Sequence, residues 1–155
     1  MKYRYRLWRT WNTDIKKKPI TWLMLNPSTA DENILDPTVR RCLGYSIQWG
    51  YGRMDVINIF ALRSTDPKRL YSCHDPVGID NNRSIIQTAK ESDRVIAAWG
   101  NHGLYKDRYK EVLALFNEIN TPLYCLKTSK YDQPVHPLYQ RSDIIPIIYS
   151  PKATS

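Results

Sequence analysis

The sequence predicts a single α/β domain, residues 1–155, in three layers: a central four-stranded parallel sheet covered by helices on both faces. Three observations carry that expectation. Strand-like and helix-like segments alternate in the order β-α-β-α-β-α-β. The strand-like runs are continuously apolar rather than alternating, as strands buried on both faces must be. The chain has 155 residues, enough for one domain with a sizeable core and too few for two.

In chain order, residues 2–11 alternate Lys2, Arg4 and Arg6 with Tyr3, Tyr5 and Leu7, the period of a strand with one basic face. A Lys16-Lys17-Lys18-Pro19 turn leads into the first apolar strand, 20–25, which stops at Asn26-Pro27-Ser28-Thr29. Asp36 as N-cap and Pro37 at the first helical position open a helix that ends near Gly50. "DVINIFAL" (55–62) is the second strand, rich in β-branched residues. A loop follows, in which Asp66, Asp75, Asp80, Asn81 and Asn82 organise turns and cap a helix over 80–91. "RVIAAWG" (94–100) is the third strand, with Trp99 read as core. Apolar residues at 109, 112, 113, 116 and 119 place a helix over 106–119, and "PLYCLK" (122–127) is the fourth strand. The tail 136–149 reads as a short helix interrupted by Pro146.

Several function classes find no support in the sequence. No apolar run reaches the length of a membrane span, and the charged N-terminus lacks the apolar stretch of an export signal, so a cytoplasmic protein without a membrane partner is expected. Cys42, Cys73 and Cys125 are widely spaced and read as reduced thiols. His74, His102 and His136 have no metal-ligand spacing, so neither a metal nor another cofactor is expected. There is no GxSxG elbow and no glycine-rich phosphate loop. The net charge of +8 points instead to a polyanion, nucleic acid first. Five Trp and eleven Tyr supply stacking faces suited to bases.

Ligands of open α/β sheets sit at the carboxyl ends of the strands. Those ends are polar here: Asn26-Pro27, then Arg63 to Asp66, then Trp99 to His102, then Lys127 to His136. The plainer reading of each residue is structural. Asn26 caps a turn fixed by Pro27, Asn58 bonds backbone within the sheet, and His136 is a loop residue. Against this stands their placement, since three strands deliver all three to one side.

The set "LNPSTAD", "VINIFALRSTDP", "VIAAWGNHG" and "HPLY" resembles the family called domain of unknown function 1643, over about residues 20–145. More distantly, the order of these motifs resembles the uracil-DNA glycosylase superfamily, its mismatch-specific branch in particular. That resemblance implies the superfamily's fold, with strand order 2-1-3-4, and a monomer acting on DNA in base-excision repair. It places Asn26 as the residue that orients water and Asn58 as the reader of the base. His136 becomes the donor to the leaving base carbonyl, and Leu138 or Tyr139 the wedge. Pro27 and Ser28 line the base pocket. Ser28 stands where the uracil branch has a bulky aromatic, which implies a larger or substituted base rather than plain uracil. Arg63, Lys127 and Lys130 are the candidate contacts to the DNA strand. The expected function is metal-independent hydrolysis of an N-glycosidic bond. Two alternatives stand beside it: a non-catalytic reader of modified bases, and a hydrolase of free nucleosides or nucleotides.

Overall fold

The computed structural model describes residues 2–28 and 36–151. Its strands are β1 (Leu7–Thr10), β2 (Ile20–Met24), β3 (Arg53–Asn58), β4 (Arg94–Ala97), β5 (Tyr124–Cys125) and β6 (Ile147–Ile148). The helices are α1 (Pro37–Gln48), α2 (Arg69–Ser72), α3 (Asn81–Glu91) and α4 (Arg108–Glu118), with a 3-10 segment at Asn101–Asp107. None of these helices is long and apolar enough to cross a membrane.

The strands form one mixed sheet in the order β1-β3-β2-β4-β5-β6. β2 pairs in parallel with β3 on one side and β4 on the other, and β4 with β5. β1 runs antiparallel along β3, and β6 antiparallel along β5. The sheet therefore has six strands and mixed direction, where four parallel ones were expected.

Both edge strands have a physical reason. β1 is the basic-aromatic stretch, and Arg6 just before it pairs with Asp55 of β3 and with Glu91. Asp55 is only 1% exposed and also receives Arg53, so the edge is fastened by a carboxylate whose desolvation its partners offset. β6 replaces the expected terminal helix. Pro146 has no N–H to give a helix, and the β-branched pair that follows adds to the sheet instead, Tyr124 opposite Ile148. Tyr149 then closes the edge, its N–H on Leu123 O at 2.8 Å.

β3 is shorter than the apolar run 55–62. After Asn58 the chain keeps two bonds to β2's continuation, Ile59 N–H to Met24 O and Phe60 N–H to Leu25 O, then veers away to pair with Val77.

Helices cover both faces. α1 buries Val39, Cys42 and Tyr45 against Trp22, Met24, Met54, Val56 and Ile96. α3 and α4 bury Ile85, Ala89, Val112 and Phe116 against Leu23, Ile57, Val95 and Ala97. Successive strand residues thus serve opposite cores, which is why the strands read as unbroken apolar runs. α1 begins as expected, with Pro37 in its first turn and the Asp36 carboxylate accepting the Val39 N–H at 2.8 Å.

Candidate active site

A cleft of about 600 Å³ opens where β2, β3 and β4 end, between the sheet and the start of α1. That volume is within the range of small-molecule sites. Its wall includes Asn26, Pro27 and Ser28 after β2, Asn58 at the end of β3, and His136 and Leu138 from the segment after β5. Six of the residues marked from sequence thus share one cavity, although they come from three separate parts of the chain.

Asn26 is held by its amide nitrogen. Nδ2 donates to Ser64 O at 3.0 Å and to Leu62 O and Pro27 O at 3.3 Å. These bonds tie the turn after β2 to the turn after β3, a structural role wider than the capped local turn of the plainer reading. The same bonds fix the amide plane and make Oδ1 the part of the side chain that is purely an acceptor.

Asn58 is 4% exposed and lies under the cleft. Its backbone is gripped from behind. Asn81 Nδ2 donates to Asn58 O at 2.9 Å and to Ile59 O at 3.1 Å, and Arg108 Nε donates to Ile59 O at 2.8 Å. Asn81 is therefore buried against β3, where sequence placed it in the loop that caps α3. Asp80 takes the N-cap position of α3 without a side-chain capping bond.

His136 is delivered by a tight excursion after β5. Ser129 and Gln133 pair through their backbones, Val135 N–H reaches Lys127 O, and Gln133 accepts the Trp99 indole N–H at 2.9 Å. The turn is thereby stapled to the end of β4. Trp99, 1% exposed, is core as expected and also borders the cleft. Two glycines make this wall possible. Gly100 adopts a φ of +73°, and a Cβ on Gly103 would lie 2.2 Å from the Trp99 ring.

The imidazole of His136 has a defined orientation. Its Nδ1 accepts the Leu138 N–H at 3.2 Å, so Nε2 carries the proton of the neutral ring. Burial holds the His136 pKa below its ordinary value, with the Asp36 carboxylate opposing part of that shift. A neutral N–H donor is thus available to a ligand.

Asp36 itself is the site residue that sequence reasoning treated only as a cap. One oxygen holds the helix start and the other accepts the Ser28 hydroxyl at 3.1 Å, yet the residue also lines the cleft. It is the one carboxylate among the described lining residues. The signal was present in principle: a helix that starts at the carboxyl edge of a parallel sheet turns its first residues toward the ligand crevice. His102, for which the sequence offered no metal-ligand spacing, also lines the cleft, and its Nδ1 meets the Tyr71 hydroxyl at 2.6 Å.

Four expected contacts lie elsewhere. Tyr139 is 98% exposed, with a φ of +70°, and lies outside the cleft wall, so of the two wedge candidates Leu138 is the one that borders the cleft. Lys127 and Lys130 are exposed on the turn before His136, outside the wall. The Arg63 side chain lines a neighbouring cavity. Asp31 and Thr29, in the motif that follows Asn26, fall outside the described residues. Among the described residues, no three His, Cys, Asp or Glu side chains are grouped to hold a metal ion.

No curated protein and no solved structure matches this chain. The sequence motifs do have a home that spans the cleft-forming part of the molecule. A family model described as "Protein of unknown function (DUF1643)" matches residues 4–138, and the chain belongs to that family.

Proposed function

We propose that the protein is an N-glycosylase that removes a modified base from DNA, on a fold akin to that of the uracil-DNA glycosylases. One observation carries the reading: Asn26, Asn58 and His136, from three separate segments, line a single cleft in which the His136 ring is set as a neutral Nε2–H donor. The parallel neighbours β3-β2-β4-β5 support the fold comparison, since they have the strand order that the resemblance implies.

The chemistry follows from the residue types. Hydrolysis breaks the bond between the sugar C1′ and the base nitrogen, leaving negative charge on the base and positive charge on the sugar. Nε2–H of His136 donates to the base carbonyl oxygen as that charge grows. Oδ1 of Asn26 accepts a hydrogen bond from water and aims its lone pair at C1′. Once the new C–O bond forms, the water's surplus proton passes to solvent and the departing base is protonated. Asn58 offers a donor and an acceptor to the base edge. Asp36 supplies the negative charge that favours the cationic sugar. Because Ser28 is small, the cleft accommodates a substituted base.

The test is a panel of single- and double-stranded oligonucleotides, each carrying one modified base. Alkali-sensitive breaks are expected for at least one member, reduced about 10²- to 10³-fold in His136→Ala. Loss is also expected in Asn26→Ala. Tight binding to the panel with no abasic sites would overturn catalysis and leave a reader of modified bases.

A further inference from the structure

We infer that a second cavity, next to the cleft, is a phosphate subsite for the nucleic-acid strand whose base occupies the cleft. It has a volume of about 640 Å³ and is lined by Lys2, Arg63, Arg69, Ser72 and His74 among others, with no acid among its described lining residues. This inference rests on the reading that the cleft takes a nucleotide's base.

The basic groups converge from separate segments, each tied down by backbone bonds. Tyr3 bridges Leu62, and Arg63 N–H donates to Lys2 O at 3.0 Å, which lays the N-terminal residues along the chain after β3. The Tyr3 hydroxyl donates to Asp75 O at 2.7 Å, bringing the His74 segment alongside. Arg69 enters from α2, whose start is fixed by Asp66 O. The nearby carboxylates are turned to the backbone: Asp66 accepts the Lys68 N–H and Asp75 the Gly78 N–H.

Five arginines elsewhere are matched with acids: Arg6 and Arg53 with Asp55, Arg83 with Asp80, Arg108 with Glu111, and Arg141 with Asp143. Neither Lys2 nor Arg69 has a carboxylate partner among the described residues. Lys2 and Arg69, brought to one cavity with no carboxylate among its described lining residues, repel one another, and a multiply charged oxyanion relieves that repulsion. A phosphoryl group fits best, since guanidinium forks and an ammonium together match its several acceptor oxygens.

The two cavities share a wall. Leu62 and Arg63 line the basic cavity, Ser64 lines the cleft, and Asn26 grips the carbonyls of Leu62 and Ser64. A base inserted beside Asn26 therefore sits one turn of backbone from the cations. A phosphate fixed there would set the register of the strand while the cleft reads the base.

The experiment is titration of isotope-labelled protein with inorganic phosphate, a nucleoside monophosphate, and an oligonucleotide lacking terminal phosphates. Amide signals of residues 62–74 are expected to shift with phosphate and with the oligonucleotide. Arg69→Glu and Lys2→Glu should each weaken oligonucleotide binding and lower the slope of log affinity against log salt by about 0.9 for every phosphate that is no longer neutralised. Arg69→Lys, which keeps the charge, should retain most of the affinity. A monophosphate that binds as tightly as the oligonucleotide would assign the site to free nucleotides and overturn the strand. No shift in 62–74, or unchanged affinity and salt slope in Arg69→Glu, would overturn the subsite. None of these readouts depends on strand breaks, so a subsite that holds while no abasic site forms would sink the glycosylase alone.

Discussion

The two faces of the sheet do different work for the same strand ends. On the α3/α4 face, polar groups reach through an apolar core to grip the backbone. Asn81 bonds Asn58 O and Ile59 O, and Arg108, 1% exposed, spans from Ile59 O to Asn82. On the α1 face the layers part, and the cleft opens over Met24, Val56 and Cys42. A cleft that must hold a ligand at fixed distances needs a rigid back, and here the rigidity is supplied from behind the sheet. The closed face sets where Asn58 is, and the open face sets what it meets.

The largest effect should come from breaking the closed face. Arg108→Ala removes two hydrogen bonds and leaves a void in the core, so a loss of about 3 kcal/mol is expected in denaturant unfolding. Burial already holds the Arg108 pKa below its ordinary value, a sign that the charge is kept there at some cost. A loss under about 1 kcal/mol would show that the brace is dispensable. Next is Asn81→Ala, which strips the donor from two backbone carbonyls and should cost about 2 kcal/mol. Its sharper consequence is local: hydrogen exchange at Ile59 and Phe60 should quicken before exchange at Val95 does. Equal quickening at both would mean that Asn81 supports the whole core rather than the site.

This contrast also explains which parts of the molecule can be read from sequence. β2, α1, α3 and α4 are legible because their apolar spacing and caps are local, Asp36-Pro37 above all. Asn26, Asn58 and His136 are legible as a group because the strand-end rule places them without any contact being known. Asn81 is not, since nothing in "DNNRS" distinguishes a residue that caps its own helix from one that reaches back to β3. β6 escapes the sequence because Ile147 and Ile148 gain strand identity only from Tyr124, whose pairing is non-local. Where Tyr139 lies is not legible either, since its left-handed φ and its exposure are set by the turn and not by apolar spacing. Asp36 is half legible: its capping is local, while its place in the cleft depends on the turn that brings Ser28 to it.

On the open face, Asp36→Asn separates the two roles of that residue. Asparagine caps a helix about as well as aspartate, so stability should change by less than about 0.5 kcal/mol. The negative charge facing the cleft disappears, and base excision should fall by roughly tenfold or more if it favours the cationic sugar. Unchanged excision with unchanged stability would confine Asp36 to capping.

The smallest effect is a titration, and it reads the open face directly. Burial lowers the native His136 pKa below the ordinary value of 6.5, and Asp36 pulls it part of the way back. Folding therefore favours the neutral ring. The stability this contributes is fully present above the unfolded pKa and is lost as pH falls through the lower native one. Protonation has a geometric cost as well, because a protonated Nδ1 can no longer accept the Leu138 N–H and the ring must re-aim. Ring signals followed by NMR should show His136 titrating below pH 6.5, and lower still in Asp36→Asn, where the opposing charge is gone. Excision should be flat above that titration and fall with it on the acid side. A midpoint at or above the ordinary value would mean that the ring meets more water than the closed wall behind it allows, and that the donor aimed into the cleft is the imidazolium rather than the neutral ring.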